Sequence, residues 1–225
     1  MQRRHFSALL TVAGLLGIRS VRAAASNDAD AASGIRVALE RGAVAAVALL
    51  GRPDGFLANP KVRIPLPGYL NDAAKLLRFA GQQQRVDDLV TAMNRAAEAA
   101  VPEAKALLVA AVKSISVGDA RRIVSGGDDS VTRFFADKTR APLGDRFLPI
   151  VKRHTERVDL ANRFNAVAGQ AASYGLVKGD DANIDRYVTR KALDGLYLMI
   201  GEEEKKIRSD PVGTGSAILA KVFGR

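Results

Sequence analysis

Three polar side chains interrupt a stretch of small, mostly apolar residues between Val90 and Val101: Asn94, Arg95 and Glu98. Their spacings of four and three residues put them along one edge of a helix. If buried, they must hydrogen-bond each other or a neighbour, because an unpaired interior charge is costly. They read either as a polar ligand site inside a helical bundle or as a structural ion pair that fixes helix register. Ser125–Gly126–Gly127–Asp128–Asp129 offers a different chemistry. Flexible glycines ahead of a helix N-terminus can cradle an anion. Two aspartates at that place repel a phosphate, and capping of the following helix by Asp128 or Asp129 accounts for the acids directly. Asp128 is nevertheless kept as a candidate ligand contact, together with Lys178 in the turn region Gly175–Asn183.

Other constellations fail on their own spacing. Asp181, Asn183 and Asp185 copy the first three ligands of a calcium loop, but its sixth position holds Arg186 instead of Gly and its twelfth Ala192 instead of Glu. Glu202, Glu203 and Glu204 precede Lys205, Lys206 and Arg208. Glu202–Lys206 and Glu204–Arg208 are four apart with the acid first, the favourable order. They read as a solvated, self-paired face, with a docking face for a charged partner as the alternative. The chain has no Cys and two His, one of them inside the first 25 residues. Thiolate metal sites, cysteine catalysis and a three-histidine zinc site are therefore out of reach. His154, close to Lys152, Arg153 and Arg157, reads as a surface residue on a basic helix. No Gly-x-Ser-x-Gly elbow occurs, and Gly213–Thr214–Gly215 lacks both the third glycine and the strand of a dinucleotide fingerprint. No metal and no cofactor is expected, and the balance leans away from an enzyme.

The elements that must position these residues are helices. Ile35, Leu39, Ala43, Ala46 and Leu50 recur at helical spacing, so a first helix is predicted from near Ser33 to Leu50 with Gly51 at its end. Arg52 to Pro67 holds four prolines, with Val62, Ile64 and Leu66 alternating between them. That density forbids a helix or a central strand and predicts an extended, packed connector. Helices are then predicted over about Gly68–Phe79, Arg85–Ala100, Pro102–Ile115 and, after a capping box at Ser116–Asp119, to Val124. Further helices are expected over Ser130–Arg140, from Pro142 to Val158 with a break at Pro149, and over Asp159–Tyr174, Ile184–Ser209 and Thr214–Phe223. The fold class is all-α: a compact multi-helix bundle with a proline-rich extended connector after the first helix.

Over 225 residues, 48% hydrophobic side chains are enough to build a core, which excludes intrinsic disorder. Met1–Ala25 reads as a cleavable export signal, and 26–225 as a single helical domain. Arg3–Arg4 precede a thirteen-residue run, Phe6 to Ile18, too short to span a bilayer as a helix. Ala23–Ala24–Ala25 supplies the small residues of a peptidase site, with a cut after Ala23 as the alternative. The arginine pair, the glycine-softened core, and Arg19 and Arg22 behind it favour the twin-arginine route over the general secretory one, toward a periplasmic location. Removing the segment takes four charges from the net +10 and leaves a modest +6. That excess permits weak attraction to anionic surfaces. Basic runs of at most two residues, and export itself, argue against nucleic acid.

Several phrases, in order along the chain, carry a resemblance. They include Gly51–Arg52–Pro53–Asp54–Gly55–Phe56–Leu57, Val62–Arg63–Ile64–Pro65–Leu66–Pro67 and Met93–Asn94–Arg95–Ala96–Ala97–Glu98. Gly126–Gly127–Asp128, Gly175–Leu176–Val177–Lys178–Gly179 and Lys191–Ala192–Leu193–Asp194–Gly195–Leu196 follow. Together they resemble the bacterial domain-of-unknown-function 4197 family of exported proteins. The resemblance implies a helical exported domain and brings no catalytic residues with it. Many members of such families carry a lipobox cysteine, which this chain lacks, so no membrane tether is carried over. The expected function is a non-catalytic periplasmic binding or interaction module, its partner an envelope protein or a small amphiphilic ligand. A carrier holding a lipid or other amphiphile in the bundle interior is the first alternative, and a carboxylate-based enzyme the second. A large apolar cavity would favour the carrier, a polar cleft of strained carboxylates the enzyme, and a compact core with one exposed apolar patch the binding module.

Overall fold

The computed structural model describes residues 17–173 and 183–210. Lys178, the helix expected over Thr214–Phe223 and most of the export-signal core lie outside them. Eight α-helices and two 3-10 turns occupy the described residues, and no strand occurs among them. The helices are α1 (Gly17–Leu50), α2 (Asn71–Phe79), α3 (Gln83–Ala100), α4 (Ala104–Lys113), α5 (Val117–Ser125), α6 (Ser130–Thr155), α7 (Asp159–Ser173) and α8 (Ile184–Ser209). No described helix is long and apolar enough to cross a membrane.

The helix α1 starts well before the expected Ser33. Alanines at 23, 24, 25, 29, 31 and 32 carry it back, since Ala is the strongest helix former. A Schellman-type turn closes α2: Gln82 N–H reaches Leu77 O and Gly81 N–H reaches Arg78 O, with Gly81 at φ 73°. Val101–Glu103 forms a 3-10 turn carrying Pro102 into α4. The capping box at Ser116 is present, with Asp119 in the glutamate's place.

One boundary is corrected outright. Ser130–Thr155 is a single helix, although Pro142 and Pro149 lie inside it and a break was expected at each. Each proline removes one helical donor, freeing the carbonyls of Lys138 and Asp145. Seven residues apart, both prolines are on the exposed side, as are Lys138 and Asp145, so water can serve the freed carbonyls. The buried side chains of α6 are Val131, Phe135, Thr139, Leu143, Phe147, Val151 and Thr155. That four-residue repeat advances about 40° per step against a 3.6-residue turn. The buried stripe therefore winds around α6, and different partners receive its two ends.

α6 packs most extensively on α8 and α3, while α1 lies across α8 and α4. The core includes Phe56, Leu89, Met93, Phe135, Leu143, Phe147, Ile184 and Leu196. Residues 51–67 form turns and extended chain, as their prolines require. Val62, Ile64 and Leu66 point inward while Arg63 and Pro65 face out, and Phe56 is fully enclosed. The connector is thus part of the core wall.

Candidate functional site

Asn94 and Glu98 stand one turn apart on α3, on the side facing the connector, and both are buried. Asn94 Oδ1 accepts from Ile64 N–H at 2.8 Å, while its Nδ2 donates to Ile64 O at 3.0 Å and Val90 O at 2.8 Å. One amide side chain thereby pairs with both polar groups of Ile64, as a neighbouring strand would. Glu98, 5% exposed, accepts from the backbone N–H of Phe56 and of Leu57 through Oε1, each at 3.0 Å. Its Oε2 accepts from Arg95 at 2.7 Å, and Arg95 also donates to Asp54 at 2.8 Å. The bond to Glu98, with Asp54 behind it, outweighs desolvation and holds the Arg95 guanidinium even more firmly protonated. Asp54 sits at φ 65°, a left-handed conformation that a short polar side chain tolerates. Of the two sequence readings, this geometry matches the structural one. The trio clamps the connector to α3.

Further contacts extend the clamp to α8. Gly195 faces the Phe56 ring, and a Cβ there would come within 2.8 Å of Phe56 Cε1 and 3.2 Å of Val62 Cβ. Tyr187 donates its hydroxyl hydrogen to Pro65 O at 3.1 Å. Lys61 pairs with Glu202 at 2.6 Å and, as first cause, holds that carboxyl below its usual range. Glu202 is thus drawn to the connector and to Lys205, and Lys206 pairs with Glu203 instead.

The glycine loop before α6 departs from expectation in an informative way. Asp129 is at the N-cap position, yet its side chain makes no capping bond and pairs with Arg133 at 2.8 Å. Asp128 is exposed. The anion at the α6 N-terminus is Glu204 of α8, which accepts from the Val131 and Thr132 amides at 3.3 and 3.4 Å. Glu204 is buried, and Arg208 meets it at 2.8 Å while also donating to Ile123 O and Ser130 Oγ. Sequence reasoning identified the 204–208 pair and misplaced it, taking it for part of a solvated face. The available signal was a helix start whose nearest acid, Asp129, has an i,i+4 partner in Arg133.

At the other end of the bundle, Asn183 caps α8 by accepting from Arg186 N–H at 3.1 Å. Asp185 is buried, and accepts from Thr155 on α6 and, at 3.5 Å, from Asn165 on α7. Of the residues that imitated a calcium loop, Asn183 is a helix cap, Asp185 joins α8 to α6 and α7, and Asp181 lies outside the described residues. No cluster of metal-ligating side chains occurs among the described residues. His154 is half-buried, and burial, followed by Arg157 and Arg153, lowers its pKa. Of the five candidates, Asn94, Arg95 and Glu98 come together, Asp128 stands apart from them, and Lys178 lies outside the described residues.

The family described as Protein of unknown function (DUF4197) matches residues 25–224. The chain belongs to that family. No curated protein and no solved structure matches it. DUF4197 membership thus agrees with the phrases that carried the resemblance, and several of them form the clamp: the 51–57 and 62–67 segments dock on the 93–98 segment. In this DUF4197 protein those three segments join the connector to α3.

One surface feature of the DUF4197 chain remains outside these networks. On α2 only Ala74 is buried, while Leu76 and Phe79, three apart, are 72% and 95% exposed. Lys75 and Arg78 flank them.

Proposed function

We propose that the protein is a non-catalytic, exported binding module of the bacterial envelope that engages a partner protein through the tip of α2. The observation that carries the reading is the neighbouring pair Leu76 and Phe79, left in water on a helix that buries one residue. Scattered apolar side chains are ordinary on a surface, but adjacent large ones at such exposure mark contact sites. The carrier reading draws less support. Among the described residues, the apolar void between Ile35, Leu39, Val131 and Ile207 measures about 10 Å³, too small for an acyl chain. The enzyme reading also weakens at the buried glutamates, since Glu98 and Glu204 spend their oxygens on their own chain.

Export by the twin-arginine route to the periplasm is part of the same proposal. Arg3–Arg4, the short apolar run and Ala23–Ala25 support it, and the family match begins at residue 25, where the expected signal ends. Two experiments test the proposal. Arg3→Lys with Arg4→Lys should strand the full chain in the cytoplasm, and unchanged fractionation overturns the route. A photo-crosslinking amino acid at position 79 should give one discrete adduct in cells, lost with Leu76→Ser. No adduct, or one indifferent to Leu76→Ser, overturns the docking role of the tip.

A further inference from the structure

The outer face of α6 carries a row of arginines without partners. Several arginines on other helix surfaces meet an acid one turn away: Arg122 pairs with Asp119, Arg133 with Asp129 and Arg163 with Asp159. Arg146, Arg153 and Arg157 are exposed, and among the described residues no carboxylate pairs with any of them. Positions 146, 150, 153 and 157 are spaced so that they share one face of a helix. Glu156 keeps a helical backbone beyond the end of α6, so the face continues to Arg157. The positions one turn from Arg146 hold Pro142, Leu143, Pro149 and Ile150, none of which can answer its charge. Cations suit the negative end of a helix, which accounts for Lys152 and Arg153 in the last turn. Arg146 lies more than two turns before that end, where the helix dipole asks for nothing.

The acids nearby are engaged elsewhere or turned away. Glu156 pairs with Lys152 at 3.5 Å, and Asp159 is shared between Arg163 at 2.7 Å and Arg85 at 3.1 Å. Asp145, adjacent to Arg146 in sequence, is turned about 100° from it around the helix. The imidazole of His154 is held toward its neutral form by burial first, then by Arg157 and Arg153, which places both guanidinium groups close to it. Between the arginines stand exposed Pro149 and half-buried Ile150, and no large apolar side chain is exposed on this face. A protein interface wants a buried apolar centre with anchoring side chains. A bilayer surface asks only for positive charge spread along it, and a guanidinium fork matches the paired oxygens of a phosphodiester. The row is about 16 Å long at 1.5 Å per residue, a line and not a pocket.

We propose that this face of α6 holds the protein against an anionic phospholipid surface, with Arg146, Arg153 and Arg157 on the lipid phosphates. The proposal rests on the envelope location given above and not on the docking role of α2, and its failure leaves both of those standing. It is tested by co-sedimentation of the full chain with vesicles of phosphatidylglycerol and phosphatidylethanolamine, against vesicles of phosphatidylcholine alone. The chain should bind the anionic vesicles, and binding should fall steeply with added salt. Each base near an anionic bilayer contributes about a factor of five in affinity. Arg146→Gln with Arg153→Gln and Arg157→Gln should therefore weaken binding about a hundredfold. Arg52→Gln with Lys105→Gln and Lys113→Gln removes the same charge from other exposed positions. That control should weaken binding by less than about threefold, since charges away from the contact are screened. Equal binding to both kinds of vesicle, or an equal loss in the two triple variants, overturns the proposal. So does binding that survives the first variant, as it would if the apolar run Phe6 to Ile18 were the anchor. Displacement by soluble poly-glutamate at the same charge concentration as the vesicles also overturns it, making the occupant an acidic polypeptide.

Discussion

Replacing Glu98 by alanine separates a clamp from an ornament. The substitution removes three hydrogen bonds at once: two from the amides of Phe56 and Leu57 and one from Arg95. Phe56 is fully buried, so its amide has no water to turn to. Bonds to a charged acceptor contribute about 1.5–3 kcal/mol each, and truncating one member of a buried charged network costs about 3–5 kcal/mol. We expect Glu98→Ala to lose about 3–5 kcal/mol, a large share of a domain stability of about 5–15 kcal/mol. With a urea slope of about 2 kcal/mol/M, the midpoint should fall by about 1.5–2.5 M. Glu98→Gln keeps a carbonyl for both amides and turns an NH₂ toward Arg95, so it should lose only about 1–2 kcal/mol. Amide hydrogen exchange at Phe56 and Leu57 should accelerate in the alanine variant and much less in the glutamine one. A loss below about 1 kcal/mol for Glu98→Ala, or equal losses for the two variants, would refute the reasoning.

Glu204→Ala should cost about 3–5 kcal/mol, because it strands Arg208 and uncaps α6; the pair Glu204→Leu with Arg208→Met should cost less in the same urea titration, having removed both charges. Gly195→Ala and Gly144→Ala should differ in sign. The first drives a methyl into Phe56 at 2.8 Å and costs about 1–3 kcal/mol less the helix-propensity gain, while the second meets nothing and gains about 0.5–1 kcal/mol. His154 titrates below its unfolded value of about 6.5. Its neutral form is favoured in the fold, so that contribution to stability is present above pH 6.5 and is lost as pH falls toward the folded pKa. His154→Gln should flatten the urea midpoint between those pH values, and an unaltered profile would show that the imidazole is not the group responsible.

Helix class and most boundaries were legible because they depend on neighbours in sequence. The α8 bounds, Ile184–Ser209, and the Ser116–Asp119 capping box follow from local caps and periodicity. The Asn94–Arg95–Glu98 cluster was legible as a polar exception in an apolar run, though its partner, the connector backbone, was not. Side-chain-to-backbone bonds across 30 to 42 residues leave no periodic trace. α6 was misread because a proline rule that holds for buried helices relaxes where solvent can serve the freed carbonyl. Glu204 was misread because an i,i+4 pair looks the same on paper whether water or a helix end lies beyond it.

The seat of the connector also bears on the order in which the chain assembles. Phe56 rests against Gly195, Lys61 reaches Glu202, and Pro65 O accepts from Tyr187, so partners made early wait for partners made late. About 140 residues separate Phe56 from Gly195, and at roughly 5–20 residues per second their synthesis takes about 7–28 s. Throughout that interval Phe56, Val62, Ile64 and Leu66 form an extended apolar strip with only the α3 half of its cradle available. The arrival of α8 is therefore the event that withdraws this strip from water.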